Sequence, residues 1–449
     1  MPVNTDRSPR VPAGYRVRAA AQAPARHAPL TGRGAATFSG PVRAAPPRLP
    51  VSVTLAQAAS VRTPWGSHLA GEAGFQRWFD VGHRDWRPSE TDLRYGLGPH
   101  LPGGARGEKL PGADLAADLG EAGRYGWVVE LAVKPEGTPA DPVKRTALGR
   151  FSPAGITAVE SGGRVVVYIG DDEDGGYLYK FVGADGWRRL RADGRSPLDQ
   201  GVLHVARLAA DGSGQWVPLA HGQGPLTVRN GWLDQADVLL RTRLAADAVG
   251  ATPLARPQQV AVDPSGESVY CAVAGGAVDV RCAAPDAGPV GPERESTAPG
   301  SGHVLRWRED AGDATAVGFR WDVVAETDGT TGTGQAAPFG RPRGLSFDAD
   351  GRLWIRTALN GTDRDLPDEV YRALGNDAVL AVDPASGEVR RFLTVPRGRE
   401  ITALALAADQ RTMSVTVAWP ALVGTSRKDG TDPVTFVVRR ADGGVIGAA

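Results

Sequence analysis

Three stretches of this chain repeat one design: an apolar run reaches an Asp, a tight Gly-containing turn follows, and a second apolar run leaves. They are DPSGESVY (263–270), DADGRLWI (348–355) and DPASGEVRRF (383–392). An Asp side chain accepts backbone N–H groups two residues on, and Gly tolerates positive φ, so each stretch predicts a β-hairpin. The same grammar predicts strands at Gly126 to Leu131, Arg164 to Gly170, Tyr177 to Val182, Val202 to Leu208, His303 to Trp307, and on both sides of each turn above. A lone two-stranded ribbon cannot bury its face. Radial closure of many such ribbons into a β-propeller covers both faces and protects the edges. An all-β propeller is therefore the predicted fold class.

Composition supports this reading. The chain has 59 Gly and 35 Pro among 449 residues, too many for a helical bundle or coiled coil. Only two short helices are predicted, Pro111 to Leu119 and Leu233 to Leu240, as decorations. Residues 1–50 read as an irregular N-terminal segment and 51–449 as one propeller domain, with residues 84–124 and 285–300 as insertions. Equal numbers of Lys+Arg and Asp+Glu, 51 of each, leave no field for gathering nucleic acid or an anionic bilayer. Neither is expected as a partner, and the chain is expected to be a monomer. No apolar run is long enough to span a membrane, and the N-terminal residues carry no secretory apolar core. Cys271 and Cys282 fit no zinc spacing; a disulfide and two unpaired thiols both stay open.

Four stretches carry candidate chemistry. TPWGSHLAGEAGF (63–75) sets Glu72 on a turn-rich segment, where it could bind a hard cation or simply face solvent; His68 nearby has no second His at metal spacing. GDDEDGG (170–176) crowds Asp171, Asp172, Glu173 and Asp174 after an apolar strand. Such crowding is made favourable by a divalent cation, but the spacing is not an EF-hand loop and an exposed turn has the same composition. KRTALGRF (144–151) offers Lys144, Arg145 and Arg150 as phosphate donors, or as a solvated loop. RRFLTVPRGREIT (390–402) holds Glu400 among basic residues that could simply pair with it. Motifs for a serine-triad hydrolase, a P-loop NTPase, a simple zinc protease and a CxxC site are missing.

Taken together, these stretches resemble the PhoX family of bacterial alkaline phosphatases. TPWGSHLAGEAGF is similar to the family's TPWGTYLTCEENF, the GRYGWVVELAVKPEGTPADPVKRTALGRF region resembles its FGWVVEIDP and KRTALGRF segments, and GGRVVVYIGDDEDGGYLYKFV matches its most recognisable stretch. The likeness continues in order through GHVLRWRED, GLSFDADGRLWIRT and PRGREIT, spanning about residues 60–415. It implies a six-bladed propeller and a phosphomonoesterase centre with iron and calcium near the axis. On that basis Glu72 and Glu400 are the catalytic candidates. Glu72, Asp171, Asp172, Glu173 and Glu400 are the metal-ligand candidates, and Lys144, Arg145 and Arg150 the substrate-binding ones. A small phosphate ester or anion is the implied partner. Relatives are commonly exported.

The departures from the family pattern bear on function. Gly71 stands where the family has an iron-ligating Cys, Ala73 replaces a carboxylate, Ser152-Pro153 replace His-Glu, and Gln258-Gln259 replace the Glu-Trp of its RPEW. In its PDG the acid becomes Arg343. Losing thiolate, imidazole and several carboxylates together removes most of the charge that holds trivalent iron, and leaves calcium as the cation the remaining acids suit. The expected function is a PhoX-like phosphatase homologue hydrolysing phosphate monoesters, its activity weakened or lost. The alternative is a noncatalytic propeller that binds a protein, glycan or small anion.

Overall fold

The computed structural model describes residues 9–19, 37–41, 57–79, 86–98, 114–115, 120–132, 138, 140–275, 300–327, 338–359, 368–418 and 433–447. The strand Arg164–Asp171 shows how the sequence builds the architecture. Its core, Val165 to Ile169, is continuously apolar and wholly buried, so both faces of its sheet are covered. Val165, Val167 and Ile169 enter one core with Leu69, Val128 and Phe181, while Val166 and Tyr168 enter a second with Leu178, Val260 and Trp307. Period-two alternation thus feeds two separate cores, the signature of sheets stacked face to face around an axis. The pattern repeats farther on: Cys271 and Leu305 point one way, Tyr270 and Val304 the other.

Five antiparallel blades can be traced among the described residues of this β-propeller. The first holds Gln57–Arg62, His68–Glu72, Val128–Leu131 and Val143–Arg145, with Thr37–Ser39 added in parallel to its outer strand. The second holds Pro153–Ser161, Arg164–Asp171, Leu178–Gly186 and Gly201–Leu208. The third holds Pro257–Val262, Val269–Val273, His303–Glu309 and Gly318–Glu326. Strand Ser213–Pro218 joins the outer edges of the second and third blades into one nine-stranded sheet. The fourth holds Pro342–Phe347, Leu353–Thr357, Ala378–Val382 and Val389–Thr394. The fifth holds Glu400–Leu406, Met413–Ala418 and Val434–Arg440, and its outer strand is Tyr15–Ala19 from the start of the chain. The first strand of each blade is innermost, and these inner strands stand side by side in chain order from the first to the fifth.

The hairpin chemistry matches the sequence reading. Asp263 accepts from the Glu267 N–H, Asp348 from those of Asp350 and Arg352, and Asp383 from that of Ala385. Gly266, Gly351 and Gly387 adopt φ of 78°, 81° and 72°. The entry segment, expected to be irregular, supplies the two strands Tyr15–Ala19 and Thr37–Ser39; short polar runs such as YRVRA gain their order only from a partner strand. The helix expected at 233–240 is present as Gln235–Leu240, capped by Asp234, and a second helix, Thr242–Ala248, follows directly. Most of Pro111 to Leu119 and of 285–300, and Cys282, lie outside the described residues. Cys271 is a free, buried thiol whose pKa burial pushes up to about 12.

Candidate functional site

The candidate acids sit where the blades converge, and each is already held by the protein. Glu72 ends the second strand of the first blade and is fully buried. Its carboxylate accepts the Gly126 and Trp127 N–H groups, each at 3.2 Å, and pairs with the equally buried Lys144 ammonium at 2.9 Å. Lys144 also donates to the Arg124 carbonyl at 2.6 Å and rests over the Tyr125 ring. Burial lowers the Lys144 pKa, opposed by Glu72.

Strand Arg164–Asp171 delivers Asp171 inward, where it accepts the Ser152 N–H at 2.9 Å and forms a two-pronged pair with Arg243 from helix Thr242–Ala248. Neither side chain of that pair is exposed. Burial works against the Arg243 charge, but Asp171 and Glu173 outweigh it and leave the pKa raised. Asp172 is met by Arg256 at 2.8 Å and by the Gln258 amide, with Arg343 at 3.5 Å. Burial alone would raise its pKa; Arg256 and Arg343 reverse that and lower it. Glu173 accepts from Gln76 at 3.3 Å and lies 3.5 Å from Arg243, and burial raises its pKa. Glu400 opens the inner strand of the fifth blade and accepts from Arg343 at 3.1 Å.

Asp171, Asp172, Glu173 and Glu400 therefore belong to one charged girdle, while Glu72 pairs separately behind it. The three basic residues expected to bind substrate lie outside this girdle. Lys144 serves Glu72; Arg145 pairs with Glu130 and Asp199; Arg150 is buried, donates to the Tyr125 and Ala122 carbonyls, and stacks on Phe75 and Tyr95. His68 is exposed on its strand. The girdle's cations are instead Arg243, Arg256, Arg343 and Arg356. Arg343 was legible as a departure from the family's PDG, and Arg256 keeps the Arg of its RPEW; Arg243, in a helix of ordinary composition, gave no signal.

Arg356 reaches the girdle because its register partner is Gly344, where an added Cβ would lie 2.6 Å from the Arg356 Nε. It donates to the Ile401 carbonyl in the fifth blade. Burial, with Arg343 beside it, pushes the Arg356 pKa down to about 10, while Glu400 opposes. The side chains of Arg256 and Arg343 are each 23% exposed and that of Glu173 32%, so the girdle opens to solvent at both cations and acid.

The implied iron and calcium do not fit this donor set. Among the described residues no three His, Cys, Asp or Glu side chains converge to hold a metal ion, and the oxygens that would do so accept from ammonium, guanidinium or backbone donors. Gly71 cannot simply regain a thiolate either: an added Cβ would lie 2.0 Å from the Pro153 carbonyl oxygen, closer than any side chain tolerates.

A family model described as alkaline phosphatase PhoX matches residues 12–421. Among solved structures, the chain is similar to Pseudomonas fluorescens PhoX in complex with vanadate, a transition-state analogue, at 33% identity and TM-score 0.75, covering 93% of this chain and 76% of that one. A periplasmic gluconolactonase from Pseudomonas aeruginosa aligns at 14% identity and TM-score 0.34 over 85% of this chain and 88% of its own, too distant to carry an argument. No curated protein matches.

Proposed function

The chain belongs to the PhoX family of alkaline phosphatases, and from that premise we propose that it recognises a phosphate monoester or similar small oxyanion at the axial girdle without metal-dependent hydrolysis. One observation carries the reading: each acid that the resemblance would assign to a metal is engaged by a Lys or Arg of the chain itself. A guanidinium already beside a carboxylate repels a metal cation from the same point, and ejecting the guanidinium from a buried pair would leave an uncompensated charge.

What the girdle offers an oxyanion is a pair of neighbouring guanidinium groups, Arg343 and Arg356, with Glu400 close to both. Planar guanidinium forks match the tetrahedral oxygens of a phosphate, and the repulsion between two adjacent cations falls when an anion sits between them. Glu400 is the competitor that such an anion must displace. The test is metal analysis of the purified protein, hydrolysis of p-nitrophenyl phosphate with and without calcium, and phosphate titration by calorimetry. The expected result is no calcium-dependent turnover, with phosphate binding weakened roughly ten- to a hundredfold by Arg356→Gln. Stoichiometric iron with turnover abolished by Glu72→Ala or Glu173→Ala would replace this reading with the enzyme.

A further inference from the structure

We infer that the end of the propeller remote from the girdle carries a docking surface for an acidic glycan, built by Trp65 of the first blade and Trp187 of the second among exposed arginines. Trp65 stands in the turn between strands Gln57–Arg62 and His68–Glu72, and Trp187 opens helix Trp187–Ala192, which follows strand Leu178–Gly186. Gly186 pairs with Arg164 at the start of strand Arg164–Asp171, whose last residue belongs to the girdle. Seven steps of about 3.3 Å along that strand put roughly 23 Å between the two places. The two indole rings lie 5.7 Å apart at 45°, and both residues are half-buried. Each spends its N–H on a carboxylate of the chain: Trp65 donates to Glu130 at 2.8 Å and Trp187 to Glu160 at 2.7 Å. What the pair offers solvent is therefore hydrocarbon ring, fixed in place by its polar end.

Arg62, Arg188, Arg189, Arg191 and Arg195 are exposed in the same two segments. Arg62 reaches to Gly66, where an added Cβ would lie 3.7 Å from its Nη2, and the Arg188 guanidinium lies 4.4 Å from the Trp187 ring centroid. Arg191 falls four positions after Trp187, on the same side of the helix. Arg188 and Arg189 pair with Glu160 and Asp185, but exposed pairs of this kind are worth little and yield to an incoming anion. Among the described residues no carboxylate pairs with Arg62, Arg191 or Arg195. In a chain of zero net charge, this segregation makes a local field for an anion. The rings select its kind. Flat bases stack face to face, and two rings tilted at 45° with centroids 5.7 Å apart leave no slot for one. At a bilayer a Trp sits at headgroup level with its polar edge outward, whereas both N–H groups are spent here, and no exposed large aliphatic side chain stands in either segment to enter lipid. A pyranose needs only one apolar C–H face against one ring and tolerates the tilt, while guanidinium forks take a ring-borne carboxylate in two parallel hydrogen bonds.

The readouts do not involve the girdle, so this inference stands or falls separately from phosphate binding there. Calorimetry on the full chain compares oligogalacturonate, its methyl ester, polyglutamate, oligouridylate and phosphatidylglycerol vesicles at about 0.15 M salt. Oligogalacturonate is expected to bind, more tightly than its ester, which lacks the charge, and than polyglutamate, which lacks the sugar ring. Trp187→Ala should weaken it roughly tenfold or more. Arg62→Ser combined with Arg191→Ser alters only exposed side chains, so it keeps the test valid even where Trp187→Ala loses its fold. That pair should weaken binding roughly tenfold, an effect that shrinks as salt is raised. The inference is overturned if oligogalacturonate does not bind, if neither variant weakens it, if the ester or polyglutamate binds equally well, or if oligouridylate or the vesicles bind more tightly.

Discussion

Replacing Lys144 with Met strips one charge from a pair in which neither side chain is exposed, and the magnitude follows from what remains. Glu72 keeps its two backbone N–H donors but loses the Lys144 ammonium, while the Arg124 carbonyl loses a 2.6 Å donor. Breaking a buried ion pair by removing one member destabilises by about 3–5 kcal/mol. Unfolding entropy of about 2.1 cal/mol/K per residue, over 449 residues, is roughly 0.9 kcal/mol/K for a ring that unfolds as one unit. The shift in Tm is therefore only about 3–5 °C, and urea unfolding followed by circular dichroism is the more discriminating assay. Glu72→Gln should be similarly harmful, because it takes the paired carboxylate away from a buried ammonium. The double variant should lose less than the two single losses combined, by about 2 kcal/mol, since a neutral amide can still accept the two backbone N–H groups beside a neutral Met. Strict additivity, or a Lys144→Met variant within about 0.5 kcal/mol of the native protein, would refute the claim that Glu72 is held from within.

Two further outcomes follow from the geometry. Gly71→Cys should destabilise the protein by several kcal/mol, because its Cβ has to displace the Pro153 backbone, and should confer no iron binding by metal analysis; a stable variant that binds iron would contradict both. The partly buried His204 ring has its pKa pushed down to about 4, by burial first and then by the nearby Lys180 charge. Its folded pKa lies below the unfolded value of 6.5, so the unfolded chain binds the extra proton first and stability falls as pH drops from 6.5 toward 4. The loss is at most about 3 kcal/mol, less with the ring partly exposed, and His204→Gln should flatten the acid limb of Tm against pH.

The framework was legible because it is written locally. Hairpins at Asp263, Asp348 and Asp383 need only an Asp, a Gly and two apolar runs, and all three occur where the pattern puts them. Apart from Arg343, which stands where the family's PDG has its acid, the site was legible only as a set of acids, since GDDE and PRGRE announce carboxylates but not their partners. Those partners arrive across the ring: Arg243 lies 72 positions from Asp171, and Arg343 lies 171 from Asp172. Lys144, Arg145 and Arg150 read as available donors because a sequence does not display burial; each is consumed by carboxylates or carbonyls inside the fold. The strand Tyr15–Ala19 was missed for a related reason, because its partner Val434–Arg440 lies at the far end of the chain.

That last pairing dictates an order of assembly. Synthesis delivers Tyr15–Ala19 long before its partner, and its edge pairs only after Val434–Arg440 has emerged, with the other strands of all five blades made in between. Earlier blades can collapse as they leave the ribosome, but the fifth blade lacks its outer strand until these two segments meet, and the loop-closure entropy of that meeting falls on a late step. An unfastened edge strand is a ready template for intermolecular pairing, so the interval before fastening is when this protein is most exposed to aggregation.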